Sequence, residues 1–125
     1  MLLLAIATQL PAEVNSDNET EIRAAISEHK WTFVRFYVPW CAYSQIAEPK
    51  WNKLSEQYDG DVFFLNVNCQ KLGRRCRDMF DVRGYPAFVL YKDGQQHGYF
   101  RPTYPREVDV FTEWLRRELE RKEIQ

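Results

Sequence analysis

Apolar and polar positions along this chain recur at two periods, and the changes from one to the other divide it into helices and strands. After Ser16 or Asp17, either of which can cap a helix, Ile22, Ala25, Ile26 and His29 recur at helical spacing, with Glu19 and Glu21 near the start. His29 falls on the apolar side near the end, as a packing or capping residue. Trp31 to Val38 is apolar almost throughout, which predicts a strand in the centre of a sheet. Arg35 is the exception in that run. A second helical segment opens at Cys41 and carries Ile46, Lys50, Leu54 and Tyr58 at four-residue intervals, with Pro49 expected to kink it. Tyr58-Asp59-Gly60-Asp61 supplies a stop and a turn. Val62 to Val67 reads as another buried strand, Cys69 to Phe80 as a short helix, and Phe88 to Tyr91 as a strand. Lys92-Asp93-Gly94-Gln95 is a hairpin turn leading into Gly98 to Arg101. The loop Arg101 to Arg106 holds two prolines, and a final helix sets Val108, Phe111, Leu115 and Leu119 on one stripe.

This alternation, over 125 residues without repeat or linker, predicts a single α/β domain spanning 1–125, with residues 1–15 as an N-terminal segment. A formal net charge of -1 gives no reason to expect nucleic acid or an acidic membrane as a partner. Met1 to Ala7 is apolar but far shorter than the roughly 20 residues of a spanning helix. It is either the tail of a signal peptide, since Ala5-x-Ala7 resembles a cleavage site, or a retained segment that helps form a first edge strand; the second reading is preferred. The chain ends Lys122-Glu123-Ile124-Gln125, without a retrieval signal of the Lys-Asp-Glu-Leu type. Residence in the endoplasmic reticulum would then depend on further sequence or on a partner. Asn18-Glu19-Thr20 is a glycosylation sequon, with Asn18 the acceptor.

The chemistry is concentrated at Cys41. It stands where a strand gives way to a helix, and unpaired N–H groups together with the positive end of a helix dipole favour thiolate over thiol. Cys41 is therefore the expected nucleophile. Ser44 occupies the place, three residues on, where a two-cysteine redox site has its second sulfur. A hydroxyl cannot close a disulfide, so the site has one thiol and no internal resolving partner. Three cysteines leave one unpaired whenever two pair.

Phe36-Tyr37-Val38-Pro39-Trp40-Cys41, followed by Pro49 and then Gly84-Tyr85-Pro86, resembles a thioredoxin-fold domain of the protein disulfide isomerase family from about Glu21 to Leu119. The resemblance implies a central mixed sheet of four to five strands flanked by about four helices. It also implies a cis Tyr85-Pro86 bond facing the site cysteine, where Trp40, Tyr43, Tyr85 and Pro86 would meet an extended client. A structural disulfide between Cys69 and Cys76 is implied as well, with two buried free thiols as the alternative. Such a bond fits an oxidising compartment, the endoplasmic reticulum lumen or another secretory one. Zinc is not expected, because His29 and His97 have no ligand spacing to either cysteine.

Two departures from the family pattern occur together. The usual site is Cys-Gly-His-Cys, and this one is Cys-Ala-Tyr-Ser; some members with Cys-x-Phe-Ser, notably a client-retaining chaperone, are similar. Arg35 stands where the family places a buried glutamate that accepts the second cysteine's proton, and a guanidinium cannot be that base. A plainer reading puts Arg35 near a strand edge, extended to solvent and paired with a surface acid. Arg106, nine residues before Leu115, matches the family's loop arginine; it either stabilises the Cys41 thiolate or sits in solvent at the helix start, the latter preferred.

The resemblance thus implies a single-thiol domain that forms mixed disulfides with client proteins bearing exposed cysteines or extended segments. The alternatives are a weak isomerase using external glutathione, an interaction module in which Cys41 is unused, and a Cys-x-x-Cys oxidoreductase whose second cysteine was replaced by Ser44 to trap intermediates. Arg35 argues against the last. No bound cofactor is expected. Monothiol glutaredoxins share a Cys-x-x-Ser site, but Trp40, Tyr85 and the lack of a Gly-Gly pair after the proline fit that family poorly.

Overall fold

Strand β2 (Trp31–Tyr37) lies at the centre of the sheet, and its side chains divide the core in two. The computed structural model describes residues 10–122. In chain order the other elements are β1 (Ala12–Val14) and α1 (Glu19–Ser27) before β2, then α2 (Ala42–Gln57), β3 (Phe63–Asn68), α3 (Arg75–Phe80), β4 (Ala87–Lys92), β5 (Gln95–Phe100) and α4 (Val108–Glu120). The sheet order is β1-β3-β2-β4-β5. β1 and β2 run parallel to β3, whereas β4 is antiparallel to both β2 and β5. This is a thioredoxin fold, with five strands and four helices among the described residues.

Because successive strand side chains face opposite sides, Val34 and Phe36 pack with α1 and α3 while Phe33 packs with α2 and α4. The first layer joins Ile22 and Ile26 to Leu65, Val67, Phe80 and Val89. The second is aromatic: Phe33 meets Trp51 edge-on at 5.2 Å and stacks on Trp114 at 5.5 Å. Such ring pairs add to burial a geometric preference that fixes how α2 and α4 sit on the sheet.

Several local expectations are corrected. The cap of α1 is Asn18, not Ser16 or Asp17: its Oδ1 accepts the Thr20 and Glu21 N–H groups at 2.9 and 3.3 Å. Ser16 instead accepts the Asn18 N–H and donates to Glu21. His29 lies beyond the helix and stacks on Phe63 at 4.0 Å. On α2 the buried stripe is Ala47, Trp51 and Leu54, while Ile46 is 69% exposed and Lys50 pairs with Glu107. A strict four-residue row drifts about 40° around a helix at each step, so a row that is buried at Leu54 has turned outward at Ile46. The helix continues through Pro49. Residues 70–74 are turns rather than helix; Gly73, at φ +55°, donates its N–H to Cys69 O, and α3 begins only at Arg75.

Asp93 and Gly94 both take positive φ in the β4–β5 turn, and a Cβ at Gly94 would stand 2.4 Å from Ser27 Oγ. The proposed roles of Met1 to Ala7 and the terminal residues 123–125 lie outside the described residues; the edge strand that is present, β1, pairs Ala12 with Leu65. Among the described residues no helix is long and apolar enough to cross a membrane.

Candidate functional site

Strand β2 delivers the chain through Val38, Pro39 and Trp40 to Cys41, which is the N-cap of α2. Its backbone is extended and its carbonyl accepts the Gln45 N–H at 3.1 Å, while its own N–H returns to Val38 O at 3.2 Å. The half-buried thiol donates to the carbonyl oxygen of Tyr85, with Sγ 3.8 Å away. Tyr85-Pro86 is cis, and the loop before β4 holds the Tyr85 carbonyl beside the sulfur. The thiol's pKa is held below the ordinary cysteine value. The Ser44 N–H, one of the unpaired donors of the first helical turn, is the main cause; burial opposes it, and the Tyr43 N–H, the Ser44 hydroxyl and the Arg106 charge assist.

Ser44 is 2% exposed, and its Oγ has no hydrogen-bond partner among the described residues. A buried hydroxyl without a partner is costly, and ionisation of Cys41 gives it an acceptor.

Beneath the site, Arg35 is 1% exposed, which overturns the solvent-facing reading. Its position on the same side of β2 as Phe33 carries it under α2. Nε donates to Asn66 Oδ1 at 3.0 Å, Nη1 to the Ser44 carbonyl at 3.4 Å and Nη2 to Glu48 Oε1 at 3.3 Å. The guanidinium lies over the Tyr37 ring, 4.2 Å from its centre, and Tyr37 in turn donates to Glu13. Asn66 Oδ1 also accepts Trp51 Nε1 at 2.7 Å. Burial lowers the Arg35 pKa, and the Glu48 carboxylate works against that. Glu48 is itself half in water, so a surface acid does pair with Arg35, but from the rim inward.

Around the sulfur, Trp40, Tyr43 and Ile46 are each about two-thirds exposed, at 70%, 66% and 69%. Ile46 belongs to this surface rather than to the core, and only the helical drift of its row could have shown that. Tyr85 is half-buried and Pro86 buried. Arg106 is half-buried and lines two clefts, one beside the Pro86 loop and one beside α2, so it does not stand free in solvent. Farther off, Cys69 and Cys76 are bonded and wholly buried, tying the end of β3 to α3. Asn18 is exposed at the cap of α1. No group of three or more His, Cys, Asp or Glu side chains suited to a metal occurs among the described residues.

The thioredoxin family model matches residues 13–116. A putative protein disulfide-isomerase of Schizosaccharomyces pombe is 28% identical over 109 residues, covering 86% of this chain and 22% of that protein. Zinc-bound human ERp44 superposes with a TM-score of 0.68 at 22% identity, over 87% of this chain and 30% of that one. A point mutant of thioredoxin from Halobacterium salinarum superposes with a TM-score of 0.72 at 23% identity, over 95% and 99%. The chain thus spans well under half the length of the disulfide isomerase it matches.

Proposed function

The chain belongs to the thioredoxin family, and from that premise we propose that it is a disulfide-isomerase-like domain that captures client proteins through a single thiol, Cys41. The observation that supports this reading is the pairing of a half-exposed, acidified sulfur, 3.8 Å from Tyr85 O, with a serine in the second position.

The Cys41 thiolate attacks one sulfur of a client disulfide; a new S–S bond forms, the client bond breaks, and the departing client sulfur leaves as a thiolate that takes a proton from water. The electron count is unchanged, one disulfide having replaced another. The loop at Tyr85-Pro86 offers backbone hydrogen bonds to an extended client segment, and Trp40, Tyr43 and Ile46 supply apolar contact. In a Cys-x-x-Cys site the second thiolate would then attack the mixed disulfide. Ser44 cannot, and Arg35 cannot serve as the base for that step. Release therefore requires an external thiol such as glutathione, which takes the place of Cys41 in the mixed disulfide and frees it as thiolate.

An oxidising secretory compartment such as the endoplasmic reticulum lumen suits this chemistry and the Cys69–Cys76 bond. The test is to incubate the protein with a disulfide-bearing peptide, quench with acid and weigh the products. A one-to-one adduct that disappears with Cys41→Ser supports capture. Many peptides isomerised per protein with added glutathione would instead favour a catalytic isomerase, and no adduct at all would leave an interaction module.

A further inference from the structure

Beside Trp40 and Tyr85 a cleft of about 680 Å³ lies between the Pro86 loop and the turn that follows β3. Gln70, Arg74 and Arg77 also line it. We propose that this cleft binds acidic side chains of an extended client segment, so that Cys41 captures preferentially those cysteines whose neighbours along the chain carry carboxylates.

The cleft's charge is local. Residues 70–83 hold five cations, Lys71, Arg74, Arg75, Arg77 and Arg83, against Asp78 and Asp81, although the whole chain has a formal net charge of -1. Asp81 is occupied by Arg83 at 3.5 Å, whereas Arg74 and Arg77 have no ion-pair partner among the described residues. Both are exposed. The charge of Arg77 also reaches the Tyr85 phenol, offsetting part of the upward push that burial gives its pKa. The same cation therefore acts on the residue whose carbonyl touches Cys41.

A segment bound over Cys41 and the Tyr85 backbone reaches this cleft through Trp40 and Tyr85, which line it, whereas Tyr43 and Ile46 line a separate one. Carboxylates are favoured on the cleft side because unpaired guanidinium groups bind them bidentately and lysine side chains would be repelled. Asp78 is the one carboxylate in the lining. The proposal rests on the capture reading above only for its consequence; the cleft itself can be tested without the thiol.

The test uses the Cys41→Ser protein and fluorescent cysteine-free decapeptides in which residues flanking a central serine are Asp, Asn or Lys. Binding is read by anisotropy at about 20 mM and about 500 mM salt. The cleft predicts Asp peptides bound roughly five- to tenfold more tightly than Asn peptides at low salt, Lys peptides weakest, and a difference that shrinks to near unity at high salt. Arg74→Glu with Arg77→Glu should invert the order, and Arg74→Gln with Arg77→Gln should abolish it. Equal affinity for Asp and Asn peptides, or a preference indifferent to both variants, would overturn the proposal. Cysteine-bearing disulfide versions on the intact protein separate the two claims. Adducts formed without acidic preference overturn the cleft's role; acidic binding with no adduct supports the cleft and removes capture.

Discussion

Arg35 Nη1 donates to the Ser44 carbonyl oxygen across 3.4 Å, inside the protein. The residue in place of the family's buried acid thus touches the residue in place of its second sulfur. The contact joins the two departures in one arrangement. A buried guanidinium needs acceptors, and here it takes the Ser44 carbonyl, Asn66 and Glu48. It holds the first turn of α2 by its backbone and has no proton-accepting role to perform.

Restoring the sulfur alone should change the lifetime of captured species. Ser44→Cys places a thiol three residues from Cys41, and internal attack on the mixed disulfide becomes available. The adduct's half-life without added thiol should fall by at least about tenfold, as measured by acid quenching and mass. An unchanged half-life would mean that release is not limited by the missing thiol.

Removing Arg35 should cost stability. Arg35→Met removes one of the two donors to Asn66 Oδ1 and the guanidinium donor to the buried Ser44 carbonyl, while Trp51 Nε1 stays on Asn66 and Glu48 turns to water, so a loss of about 1 to 3 kcal/mol is expected from urea unfolding. A loss under about 0.5 kcal/mol would show that the apolar replacement repacks without penalty.

The lowered Cys41 pKa sets a pH dependence. Alkylation of the native protein should have its midpoint below the value near 8.5 of a free cysteine, and the urea-unfolded chain should return to that value. Because the folded pKa is the depressed one, this group's contribution to stability is full above the unfolded pKa and is lost as pH falls through the folded one. Ser44→Ala and Arg106→Gln should each move the midpoint upward, yet leave it below the unfolded value, since the Ser44 and Tyr43 N–H groups remain.

The Cys69–Cys76 bond closes a loop with a sequence separation of 7. Cys69→Ala with Cys76→Ala should lower unfolding stability by about 2.5 kcal/mol on the chain-entropy argument, with additional loss from the buried methyl-for-sulfur change. The Cys41 alkylation midpoint should stay where it is. A large shift in that midpoint would show that the loop holds the site in place.

Much of this was legible in the residues themselves. The unbroken apolar run of β2 announced a central strand, and the Asp93-Gly94 pair announced a hairpin. Cys41 at a strand-to-helix junction is also a local signal, because the N–H groups that lower its pKa belong to the next turn of chain. What the sequence hid depends on three-dimensional neighbours. A lone arginine in an apolar strand looks like an edge residue unless Asn66, from an adjacent strand, and Glu48, from the overlying helix, are known to reach it. Ile46 looks like core until the helix is rotated onto the sheet. Ser16, Asp17 and Asn18 are equally good caps by type, and only the hydrogen bonds to Thr20 and Glu21 separate them.

The most direct measurement is the survival of the adduct between Cys41 and a disulfide peptide, followed by acid quench and mass after excess peptide is removed. Capture without an internal release step predicts a one-to-one adduct, absent with Cys41→Ser, that persists until glutathione is added and then decays in proportion to its concentration. Failure of the intact protein to form that adduct, or its decay at the same rate with and without glutathione, would contradict the account.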